Sequence, residues 1–122
     1  MSAHPHVLVV EDDEDTRWLV SDALAGEGYS VEQATDGAEA LRLLEHVAPC
    51  AILLDVRMPG MDGVAFAHEY RLRAERPAAI ILMTGEADAE RYYQQIAADG
   101  ALRKPFELPA LYDIVGRFCP HN

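Results

Sequence analysis

A three-layer α/β fold, with a parallel sheet sandwiched between helices, follows from three features of this sequence. Short, continuously apolar runs recur, each too short to be a helix. Amphipathic segments of helical period alternate with them. Polar residues able to do chemistry stand directly after several of the apolar runs. Continuous apolarity suits strands buried on both faces of a parallel sheet, and strand–helix alternation implies right-handed crossovers between them.

The first strand is predicted at residues 7–10, where Val7, Leu8, Val9 and Val10 follow one another. A helix over 16–25 sets Leu19 against Ala23 and Val20 against Leu24, and Gly26 and Gly28 stop it. Residues 29–34 alternate in polarity and suit an edge strand. Asp36 caps a helix over 36–46 that carries Leu41 and Leu44 on one side and ends before Pro49. The apolar run 51–54 is the third strand. A helix over 64–75 pairs Phe66 with Tyr70 and stops before Pro77. The fourth strand is 80–83, followed by a less apolar helix over 87–98 and a short strand at 101–102. The last helix, 107–118, aligns Leu108, Leu111, Ile114, Val115 and Phe118 in one stripe.

With 122 residues, half of them hydrophobic, the chain fits one domain with a self-sufficient core. Residues 1–122 are expected to be a single domain with its core at about 6–119. The net charge of −11 argues against direct binding to nucleic acid or an anionic membrane, and suits cations or partners with a basic surface. Cys50 and Cys119 do not make a disulfide framework, and Cys50 reads as a small buried hydrophobe. No signal peptide or membrane span is evident, so a cytoplasmic location is expected.

The strand ends carry the chemistry. Glu11, Asp12 and Asp13 follow the first strand, Asp55 the third, Thr84 the fourth, and Lys104-Pro105 the fifth. In open parallel sheets, sites form beyond the carboxyl ends of the strands. Carboxylates crowded there repel one another unless a cation is present, and Mg²⁺ suits a few carboxylates with water and phosphate oxygens. The Thr84 hydroxyl and Lys104 ammonium add donors for such oxygens. Alone, the acidic triplet would pass for a solvated loop with a helix cap; beside the other three elements it reads as a site.

Four segments then resemble the receiver domain of bacterial two-component response regulators: 9–13 (VVEDD), 54–63 (LDVRMPGMDG), 83–85 (MTG) and 104–106 (KPF). The resemblance implies a flavodoxin-like (βα)₅ fold with strand order 2-1-3-4-5. It implies that Asp55 is the phosphoacceptor, with Thr84 and Lys104 holding phosphoryl oxygens. Asp12 and Asp55 would ligate Mg²⁺, Glu11 would act mainly through metal-bound water, and the backbone carbonyl of Arg57 would add a ligand. The Lys104–Pro105 bond is typically cis in this family. The implied partners are a histidine kinase or histidine phosphotransferase and a downstream protein target. The receiver, stand-alone or excised from a longer regulator, would switch contacts rather than turn over a separate substrate.

Two other classes compete. A Mg²⁺-dependent phosphohydrolase using Asp55 would need a second Asp two positions on, where Arg57 stands. A docking domain independent of phosphorylation would be expected to have lost an acidic or acceptor residue, and none is lost. Arg57 and Glu86 are expected to pair across the site and slow hydrolysis of the phosphoryl group. Ala101 departs from the family, which commonly has Tyr or Phe three residues before the lysine. The histidines show no metal-ligand spacing, Asp13 is the weakest site candidate of the three acids and reads as a helix cap alone, and Trp18, Tyr92 and Tyr93 read as packing residues.

Overall fold

A computed structural model describes residues 5–56, 62–85 and 89–120. The elements run β1 (His6–Val10), α1 (Glu14–Gly26), β2 (Ser30–Ala34), α2 (Gly37–Leu43), β3 (Ala51–Asp55), α3 (Gly63–Arg73), β4 (Ala79–Thr84), α4 (Ala89–Ile96), β5 (Gly100–Arg103) and α5 (Leu108–Phe118). The five strands form one parallel sheet of order β2-β1-β3-β4-β5, as expected. The alternating strand is at an edge. The central runs sit inside, where both of their faces are covered.

Strand alternation divides the core in two. Leu8, Val10, Ile52, Leu54, Ile80 and Leu82 pack on one face with Leu41, Phe66, Tyr70 and Ile96 from α2, α3 and α4. Val7, Val9, Leu53, Ile81 and Met83 pack on the other with Val20, Leu24, Leu111 and Val115 from α1 and α5. Three helices begin at aspartates whose side chains accept from main-chain N–H groups of the first turn. Asp13 accepts from Thr16, Asp36 from Glu39 and Asp62 from Ala65, each at 2.8 Å. Such caps satisfy donors that the helix itself leaves open. Gly63 lets α3 start hard against the chain leaving β3, because a Cβ there would lie 3.1 Å from Val56 Cα.

Two expectations are corrected. Cys50 and Cys119 form a disulfide, with Cα atoms 5.6 Å apart and a sequence separation of 69. Cysteine number did not disclose it; the bond arises because the start of β3 and the end of α5 meet at the pole opposite the strand ends that carry the acids. The Tyr29 hydroxyl donates to the Cys119 carbonyl at 2.9 Å and fastens the same corner. Trp18 is not a packing residue: it is 61 % exposed, on the outer side of α1, away from the buried stripe of Val20 and Leu24. Tyr92 and Tyr93 do pack against the core, partly buried.

Candidate functional site

Register and parity assemble the site. Val10 pairs with Leu54, so the next residues, Glu11 and Asp55, reach the same level beyond the sheet. They continue the alternation of Val9 and Leu53, and so belong to the face covered by α1 and α5. Oxygens of Glu11, Asp12 and Asp55 all lie within 4.8 Å of one another, with Glu11 and Asp55 buried and Asp12 exposed. An oxygen-only donor set of this size, two acids in the floor and one at the mouth, fits a hard divalent cation. Lys104 follows β5 with the parity of Leu102 and extends its ammonium to Glu11 Oε1 at 2.6 Å and toward Asp55 Oδ2 at 4.0 Å. The Lys104–Pro105 peptide is cis, as the resemblance implies.

Thr84 ends β4, is buried, and accepts at its carbonyl from the Lys104 main-chain N–H at 3.0 Å. It has the parity of Ile80 and Leu82, and lines a cavity of about 140 Å³ with Ala89, Glu90, Tyr93, Ala101 and Arg103. Ala101 therefore leaves open space beside the threonine, on the α4 side. Arg57, whose carbonyl is an expected ligand, and Glu86, its expected ion-pair partner, lie outside the described residues.

Burial by itself would raise the pKa of Glu11. Hydrogen bonds with Asp55 and Lys104, the Lys104 charge and the Asp13 N–H outweigh it and hold the carboxyl below its ordinary value. Asp13 is also held low, first by the Thr16 hydroxyl and then by the Thr16 N–H. Its side chain caps α1 by accepting from Thr16, while its main-chain N–H serves Glu11 Oε2 at 3.2 Å. One contact was not foreseen. Arg17 Nη1 donates to the Glu11 carbonyl at 3.0 Å, and Nε donates to Gln33 Oε1 at 3.3 Å. The sequence signal for it is a basic residue one helical turn after the acidic triplet, a weak signal because arginine inside an amphipathic helix ordinarily faces water.

Five parallel strands of this order, with acids, a threonine and a lysine at their carboxyl ends, define a receiver-type signalling domain. Residues 7–116 match the response regulator receiver domain family, and the chain belongs to it. It is 39 % identical over 118 residues to the DNA-binding transcriptional regulator NtrC of Escherichia coli, covering 94 % of this chain and 25 % of that protein. The chain thus spans about a quarter of the length of such curated relatives. Sporulation initiation phosphotransferase F of Bacillus subtilis is 30 % identical, with 93 % of both chains covered. Among solved structures, chemotaxis protein CheY4 of Vibrio cholerae superposes with a TM-score of 0.87 at 34 % identity, covering 95 % of this chain and 99 % of that one. The receiver domain of sensor histidine kinase PA1611 of Pseudomonas aeruginosa, solved with a magnesium ion coordinated in the active site cleft, gives 0.88 at 30 % identity, with 98 % and 100 % covered.

Proposed function

We propose that residues 1–122 are a single receiver domain, with its core at about 6–119, that works as a phosphorylation switch on Asp55. The observation that carries this reading is the cluster itself: a buried acceptor carboxylate with two further carboxylates and a lysine ammonium gathered around it. A carboxylate oxygen of Asp55 attacks the phosphorus of a phosphohistidine on a histidine kinase or phosphotransferase. The phosphorus–nitrogen bond breaks, the imidazole leaves, and an acyl phosphate remains on Asp55.

Glu11, Asp12, Asp55 and the carbonyl of Arg57 would hold Mg²⁺ directly or through water. The ion, when bound, neutralises charge on the transferring phosphoryl group. Lys104, poised between Glu11 and Asp55, moves its ammonium onto a phosphoryl oxygen, and the Thr84 hydroxyl donates to another. Water later hydrolyses the acyl phosphate, so the reaction acts on the domain's own side chain. Among the described residues no helix is long and apolar enough to cross a membrane. A cytoplasmic setting and a protein target downstream, with no direct contact between this domain and nucleic acid, complete the reading.

The test is incubation with acetyl phosphate or phosphoramidate, with and without Mg²⁺. One phosphoryl group should be gained on the parent, and none on Asp55→Asn. Undiminished, metal-independent labelling of that variant would refute the assignment.

A further inference from the structure

We infer that Arg17, braced by Gln33, is a positioning residue that holds the main chain of Glu11 and Asp12 in the geometry that receives a divalent cation. The inference rests on the metal-dependent reading of the acidic cluster given above.

The segment from Glu11 to Asp13 links β1 to α1 and belongs to neither, so other contacts must fix it. The Glu11 N–H donates to the Ala34 carbonyl at 3.0 Å, which ties the segment to β2. The Glu11 carboxylate is held by Lys104 at 2.6 Å and by the Asp13 N–H at 3.2 Å. Its carbonyl accepts from Arg17 Nη1 at 3.0 Å. The Arg17 main-chain N–H also donates to the Asp13 carbonyl at 2.9 Å, so one residue of α1 grips both ends of the segment.

The guanidinium is itself oriented. Its Nε donates to Gln33 Oε1 at 3.3 Å, and Gln33 sits on β2 opposite Val9 of β1. The planar fork therefore spans α1, β2 and the end of β1, a geometry that arginine can hold and lysine cannot. Asp12, exposed at the mouth of the cluster, follows directly on this clamped peptide. The direction of its carboxylate depends on where that peptide is held, as outer contacts orient inner ligands at metal sites generally.

A positioning role and a charge effect predict opposite signs. A guanidinium beside a cation site repels the cation, so removing the charge alone should tighten Mg²⁺ binding. Removing a brace should weaken it. Mg²⁺ affinity of the full chain, measured by isothermal titration calorimetry with circular dichroism to verify folding, separates the two. Arg17→Ala should weaken binding by roughly 10-fold. Arg17→Lys, which keeps the charge and one donor, should recover part of that loss. Gln33→Ala leaves every charge in place at an exposed position, and should weaken binding a few-fold, on the order of the smaller outer-contact effects. Equal or tighter Mg²⁺ binding by folded Arg17→Ala overturns the inference. Should that variant fail to fold, Gln33→Ala decides, and parental affinity there overturns it. A parent chain that binds no Mg²⁺ defeats the metal-dependent reading itself, and the inference with it.

Discussion

Asp13 shows how closely two jobs can be packed into one residue. Its side chain caps α1 through Thr16, at 2.8 Å to the N–H and 2.6 Å to the hydroxyl, while its N–H serves the Glu11 carboxylate. Because these bonds favour the ionised form, its folded-state pKa lies below the ordinary 3.8. The sign follows from linkage: the cap's contribution is fully present above pH 3.8 and is lost as pH falls through the lowered value. Asp13→Ala should lower the thermal midpoint at neutral pH, and the gap to the parent should close under more acid conditions. A gap that persists unchanged well below pH 3.8 would show that ionisation of Asp13 plays no part in the cap.

At the scale of elements, α4 and α5 are held very differently. Helix α5 buries Leu111, Ile114 and Val115, and its end is tied to β3 by the Cys50–Cys119 disulfide. Closing a loop of this length stabilises by about 4 kcal/mol in the chain-entropy limit. Urea unfolding with and without a thiol reductant should therefore show a loss of up to that amount, whereas coincident curves would leave the bond without a stabilising role. A reducing compartment would keep the bond open, so the same comparison gives the margin the fold retains there. Helix α4 buries only Ala89 and Ile96 and flanks the cavity beside Thr84. Ala101 has no side-chain rotamers with which to report a change at Thr84, so the coupling is expected either to run through the backbone from Thr84 into α4 or to be weak. Beryllofluoride, standing in for the phosphoryl group, should shift amide resonances mainly from Thr84 through Ala98 and less from Leu108 through Phe118. The reverse distribution would reject this route.

For the whole molecule, the acidic cluster is a cation-attracting feature that exists only once the chain is folded. The net charge of −11 adds a broad attraction for cations, which salt screens, but only the folded chain brings Glu11, Asp12 and Asp55 within 4.8 Å. A ligand bound by the native state alone stabilises it, by about 2.7 kcal/mol at a hundred times its dissociation constant. Mg²⁺ should thus raise the unfolding midpoint of the parent, and a chelator should reverse the rise. Asp12→Ala should stay folded, since its carboxylate is exposed and its removal relieves repulsion, yet should lose most of the Mg²⁺-induced rise. An equal rise in variant and parent would remove Asp12 from the site.

Local pattern was enough to predict the ten elements and the strand ends where Glu11, Asp12, Asp55, Thr84 and Lys104 stand, because burial on both faces of a sheet writes itself into consecutive apolar residues. Motif resemblance then supplied the strand order, which no run of residues encodes alone. Element ends shifted where caps decided them: α1 starts at Glu14 rather than at residue 16 because Asp13 takes the first-turn donors, and α2 ends at Leu43, short of residue 46. The tertiary structure alone decided the rest. The disulfide depends on two chain positions 69 residues apart meeting at one corner. The exposure of Trp18 depends on which stripe of α1 meets the sheet. The grip of Arg17 on Glu11 and Gln33 needs α1, β1 and β2 already side by side, and a contact between elements has no period for a sequence to display.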